Sequence, residues 1–147
     1  MAGGPGTDGM AETRSGAEGG ALILVVERDP HVRELEAFFL KEAGFAVEFA
    51  EDGASALERA RKLRPHLVIT EILVPKLDGL ALCRQLKADP ETRGVMVLIF
   101  SILTASVRAR EAGADAFLRK PLAEQRLVDT VRQLVAERDE AFQGESV

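Results

Sequence analysis

Between Leu22 and Val135 the chain alternates short, almost wholly apolar runs with longer stretches whose apolar residues recur at helical spacing, and it does so five times. The run Leu22–Val26 (LILVV) contains no polar position, which is the pattern of a strand covered on both faces. Asp29 and Pro30 follow as an N-cap with proline in the first helical position. Val32, Leu35, Phe38 and Phe39 then repeat as a helical stripe, and Gly44 supplies a stop. The unit returns as a strand over Phe45–Ala50 and a helix over Gly53–Leu63, halted ahead of Pro65. Leu67–Glu71 precedes a helix marked by Leu80, Cys83 and Leu86 and ended by Asp89-Pro90. Val95–Phe100 (VMVLIF), the most apolar run and therefore expected to be central, precedes a short helix over Thr104–Ala112 closed by Gly113. Ala116–Arg119 precedes a last helix striped by Leu127, Val131, Leu134 and Val135. Five consecutive β–α units with buried strands imply an α/β fold, a doubly wound five-stranded parallel sheet with helices on both faces.

A length of 147 residues suits one such domain, placed at residues 21–137. Residues 1–20 hold seven glycines and few large apolar side chains, so they are expected to form a disordered tail. Residues 138–147 read as a polar C-terminal tail. A net charge of −5 argues against a nucleic-acid surface. The single Cys83 excludes an internal disulfide and any multi-cysteine metal site. No apolar run is long enough to span a membrane, and the N-terminus lacks the pattern of a secretion signal, so the expected location is cytoplasmic.

In open parallel sheets, function gathers at the carboxyl ends of the strands. Those ends carry Glu27-Arg28, Glu71, Ser101 and Lys120-Pro121. Each alone has a plain reading as a solvated side chain, a turn or a loop start. Together they place carboxylates, a guanidinium, a hydroxyl and an ammonium along one sheet edge. His31 and His66 read as surface residues at a helix start and a strand start. With no His or Cys nucleophile–base pair at the strand ends, a hydrolase is disfavoured.

The segments LILVVERDPHVRELEAFFLKEAGFAVEFAEDGASAL, LVITEILVPKLDGLALCRQLKADP and EAGADAFLRKPL resemble the receiver domain of bacterial two-component response regulators, over about residues 21–137. The resemblance implies a flavodoxin-like receiver fold. It also implies phosphoryl transfer from a histidine kinase to an aspartate on the third strand, assisted by Mg²⁺. Matched by position, Glu71 occupies the phosphoacceptor place, and Glu27 and Arg28 the two acidic places after the first strand. Ser101 occupies the hydroxyl place, Lys120 the lysine place and Phe117 the aromatic switch. The backbone carbonyl of Leu73 would complete the metal positions, and Pro75 and Asp78-Gly79 match the turn after the third strand. In the family the face of helix four, strand five and helix five is the partner surface.

This sequence departs from the pattern where the chemistry would occur. At the acceptor position, glutamate is one methylene longer than aspartate, which moves its oxygens roughly 1.5 Å; such misplacement costs about 100-fold in a positioning-dominated reaction. The longer carboxylate can instead accept from Ser101 and pair with Lys120 without any chemistry. Arg28 removes an oxygen ligand that Mg²⁺ would need and adds a positive charge. An Arg28–Glu71 pair would leave the pocket neutral, with Glu27 and Glu71 facing Arg28 and Lys120. The alternative is that Arg28 swings into solvent. Ser101 and Lys120 are only 19 positions apart, roughly three fewer than the family pattern. Phe117 is expected to point inward.

The reading is a receiver-like protein-interaction module that does not depend on phosphorylation. It is not expected to be an enzyme or to carry a cofactor. Its partner would be a signalling protein on the helix four, strand five and helix five face, with a homodimer also possible, and neither nucleic acid nor membrane. The alternatives are a Mg²⁺-dependent phosphoacceptor with unusual residues, or a small-ligand binder using the charged cleft.

Overall fold

The computed structural model describes residues 20–121 and 123–145. The tail expected over residues 1–20 therefore lies almost wholly outside the described residues. Strands β1 (Leu22–Val26), β2 (Ala46–Ala50), β3 (Leu67–Thr70), β4 (Met96–Ser101) and β5 (Ala116–Arg119) alternate with five helices. These are α1 (Pro30–Glu42), α2 (Gly53–Leu63), α3 (Gly79–Ala88), α4 (Ser106–Glu111) and α5 (Glu124–Glu145). All strand pairs are parallel, in the order β2-β1-β3-β4-β5. The expected α/β architecture is the observed one. The central strand, however, is β3 and not the more apolar β4, because the order reverses after β2 and the later strands add on the far side of β1. β4 is still interior, flanked by β3 and β5, so its apolar run is buried without being in the middle.

Period-two alternation along the buried strands divides the core into two layers. Leu24, Val26, Val68, Val97 and Ile99 face Ala56, Leu57 and Ala60 of α2, Leu82, Cys83 and Leu86 of α3 and Ala109 of α4. Ile23, Val25, Leu67, Ile69, Leu98 and Phe100 face Leu40 of α1 and Leu127, Val131, Leu134 and Val135 of α5. Asp29 caps α1 as expected, accepting from the His31 amide, and Asp52 and Asp78 cap α2 and α3 in the same way, accepting from the amides of Ser55 and Ala81. α1 ends at Glu42, and Gly44 takes φ +102°, the left-handed conformation that favours glycine.

Three further sequence readings need correction. On α1 the inward face is Glu36, Ala37 and Leu40, while Leu35 and Phe38 are more than half exposed. The true stripe runs Val32, Glu36, Leu40, and the carboxylate at its middle obscured it. His66 is half-buried, not a surface residue, and its Nδ1 accepts the Leu22 amide at 3.0 Å. Finally, α5 continues through the supposed polar tail as far as Glu145. Gln133 donates to Glu137 one turn on, the Arg138 guanidinium stacks 4.1 Å over Phe142, and Phe142 lies against Gly94.

Candidate functional site

The reversal of strand order falls between β1 and β3, where the loops that follow them diverge and leave a crevice at their carboxyl ends. β1 delivers Glu27, β3 Glu71, β4 Ser101 and β5 Lys120. All four converge there, and the three from β1, β3 and β4 are buried. The β3–α3 loop is tied down by the Gly79 amide, which donates to Ile72 O at 2.9 Å. A Cβ on Gly79 would collide with the Glu71 carbonyl, so the backbone supporting the site requires glycine.

Glu71 is saturated with donors. Its Oε2 accepts from the Ser101 hydroxyl, from the Ile72 amide at 2.8 Å and from the Leu73 amide at 3.3 Å. Its Oε1 accepts from the Ile102 amide at 3.2 Å and lies 3.2 Å from Lys120 Nζ. Burial alone would raise this carboxyl, but the Ser101 hydroxyl, the Lys120 ammonium and the Leu73 amide hold it below its ordinary value. Lys120 Nζ also lies 2.5 Å from Glu27 Oε1, and Glu27 Oε2 accepts from the Asp29 amide at 3.2 Å. Desolvation would lower the Lys120 ammonium, yet Glu27, Glu36 and Glu71 outweigh it and raise it. The Arg33 guanidinium donates to the Glu27 carbonyl at 2.9 Å, pinning the end of β1 to α1.

Arg28 does not join this cluster. It is exposed and has no hydrogen bond or ion pair among the described residues, so the proposed Arg28–Glu71 pair is not formed. The cause is local: Glu27 and Arg28 are adjacent where β1 ends, so with Glu27 turned inward the guanidinium is left in water. Lys120 alone supplies the positive charge. Leu73 has its side chain half exposed, and its amide, not its carbonyl, bonds Glu71. Phe117 is half-buried and packs against the core layer that contains Ile99, Ala105 and Ala109.

One site residue was missed by sequence reasoning. Glu36 of α1 is only 6% exposed and stands 3.9 Å from Lys120 Nζ. Desolvation raises its carboxyl to about 8, opposed by Lys120 and reinforced by the charges of Glu27 and Glu71. Its signal was present: an acid four residues from both Val32 and Leu40, inside an apolar stripe.

The residues at the family's metal positions do not fit a magnesium ion. Of the three side chains, Arg28 is a cation facing solvent, and Glu27 and Glu71 are turned onto the same ammonium. Among the described residues, no group of three or more His, Cys, Asp or Glu is arranged to hold a metal.

A five-stranded parallel sheet of this order, with an acid–hydroxyl–lysine cluster at its switch point, defines a flavodoxin-like signalling domain. Residues 23–132 match the response regulator receiver domain, and the chain belongs to that family. It is 38% identical over 114 residues to the response regulator MprA of Mycobacterium sp. strain KMS, covering 77% of this chain and 50% of that protein. The MprA of Mycobacterium leprae is 37% identical with the same coverage. The chain thus spans about half the length of these curated relatives. The signal receiver domain of a signal transduction histidine kinase from Syntrophus aciditrophicus superposes with a TM-score of 0.75 at 36% identity, covering 80% of this chain and 91% of that one. A response regulator receiver domain protein from Clostridium thermocellum gives 0.76 at 25% identity, with 82% and 98% covered. The chain is therefore a receiver domain of two-component signalling, a class of module that is in general not enzymatic. None of its described helices is long and apolar enough to cross a membrane.

Proposed function

We propose that this receiver works without phosphorylation, as a cytoplasmic protein-interaction module held in one signalling state by its own side chains. The observation that carries this reading is the donor set around Glu71. The Ser101 hydroxyl and the Lys120 ammonium, which the family resemblance would turn toward a phosphoryl group, are both engaged by the glutamate carboxylate, which also accepts from the Ile102 amide. Attack on phosphorus would require Glu71 to surrender these bonds and to act without the second acidic metal ligand, since Arg28 occupies that place.

The output surface in this reading is the face of α4, β5 and α5, recognised by a signalling protein or by a second copy of the chain. Phe117 supports it. Its ring packs on the core while also lining, with Ser106, Ala109 and Arg110, a cleft of about 260 Å³ between α4 and β5. Val107 of α4 is also more than half exposed.

A magnesium titration followed by thermal unfolding tests the reading. A chain that has replaced the ion with Lys120 should unfold at the same temperature with and without millimolar Mg²⁺. An upward shift that saturates in the micromolar range would restore the Mg²⁺-dependent phosphoacceptor as the better account.

A further inference from the structure

Beside the strand-end cluster lies a cavity of about 340 Å³, at the small end of the roughly 300–1,000 Å³ typical of ligand pockets. Its walls are apolar: Val32, Leu35 and Phe39 of α1, Phe100 and Ile102 at the end of β4, and Leu127 of α5. Three polar residues line it, Glu36, Lys120 and Glu124. Leu35 and Ile102 are more than half exposed, so the cavity opens to solvent.

We propose that this cavity binds a small organic ammonium ion with a compact apolar body, its charged head on Glu36. This goes beyond the interaction-module reading and does not depend on it. Glu36 is more than nine-tenths buried, yet it makes no hydrogen bond among the described residues. Its ion-pair partner among the described residues is Lys120 Nζ at 3.9 Å, beyond hydrogen-bond length. That ammonium is already committed to Glu27 at 2.5 Å and Glu71 at 3.2 Å. Three buried carboxyl groups therefore face one cation, while Glu124 adds a fourth at the cavity. A second cation meets a site short of positive charge, whereas a ligand carboxylate adds to the excess. Burial and the neighbouring acids raise the Glu36 carboxyl to about 8, so at neutral pH it holds a proton, which it releases to solvent when an ammonium head binds. The Phe39 and Phe100 side chains among the walls suit an apolar body, and Phe100 already accepts Lys120 Nζ 5.3 Å from its ring centroid.

The test uses the full chain and three probes of similar shape: 2-phenylethylamine, 2-phenylethanol and 3-phenylpropionate. Binding is followed by amide chemical shifts. The amine should saturate, moving the signals of Val32, Glu36, Phe39 and Lys120, while the alcohol and the acid bind at least about tenfold more weakly. At about pH 9, where Glu36 is ionised, Glu36→Gln should weaken the amine by about tenfold or more, since it keeps the shape and removes the charge. Val32→Phe, which fills the cavity from its wall, should block binding in a folded protein and decides the matter if Glu36→Gln does not fold. Equal binding of the alcohol or the acid, undiminished amine binding in either folded variant, or no saturable shift would overturn the proposal.

Discussion

Lys120 Nζ lies 3.2 Å from Glu71 Oε1, joining the end of β5 to the end of β3 by an ion pair whose two side chains are 13% and 6% exposed. The same ammonium bonds Glu27 at 2.5 Å. This one side chain closes the crevice at the strand ends by satisfying charges that the strands bury there. Its removal should be felt throughout the domain.

Replacing Lys120 by Met preserves the stem and deletes the charge, leaving Glu27 and Glu71 buried without a cation. The expected loss is about 3–5 kcal/mol at neutral pH, read from denaturant unfolding. A loss below about 1 kcal/mol would mean that the cluster is solvated like a surface pair.

Arg28 behaves in the opposite way. Exposed and without a described partner, it should tolerate Arg28→Ala within about 0.5 kcal/mol. The same unfolding curves check this; a change of several kcal/mol would mean that the guanidinium does reach the buried carboxylates.

Glu36 sets a pH dependence whose sign can be worked out. Its folded value of about 8 lies above the ordinary 4.5, so the folded chain binds more protons than the unfolded one between those pH values. Its contribution to stability is full below about pH 4.5 and is lost as pH rises toward 8. Lys120, Glu27 and Glu71, which directly follow β5, β1 and β3, are the charged groups that face it. Glu36→Leu should remove this slope and stabilise the protein by on the order of 2–4 kcal/mol at pH 8, with little effect at pH 4.5. Unfolding of both proteins across that range measures it, and parallel curves would refute it.

Gly79→Ala places a methyl group against the Glu71 carbonyl. Relief requires the β3–α3 loop to move, at a cost of about 2–4 kcal/mol in unfolding free energy. Amide shifts should also change at Ile72 and Leu73, whose N–H groups bond the Glu71 carboxylate.

The fold was legible because buried parallel strands need unbroken apolar runs and the helices between them repeat apolar residues at helical spacing. Leu22–Val26 and Gly53–Leu63 could be placed to the residue on those grounds. Ordering the strands was harder: apolarity reports burial, and both β3 and β4 are buried, so composition could not say which was central. At the site, strand ends announced Glu27, Glu71, Ser101 and Lys120. Charge arithmetic then failed, because it assumed that Arg28 would turn inward where Glu27 already does. Glu36 escaped because an acid in a helix is ordinarily a solvent-facing residue, and only the packing of α1 against the sheet turns it toward Lys120. The run of α5 past Val135 was hidden for a similar reason. Phe142 is one apolar residue in a polar stretch, and its packing against Gly94 depends on a partner 48 positions away.

The most direct measurement compares two proteins by intact mass after incubation with a small-molecule phosphodonor and Mg²⁺. One is the natural chain; the other carries Glu71→Asp and Arg28→Asp together, restoring a short acceptor and an oxygen ligand. The account predicts that only the double variant gains the mass of one phosphoryl group. A phosphoryl adduct on Glu71 of the natural chain would contradict it.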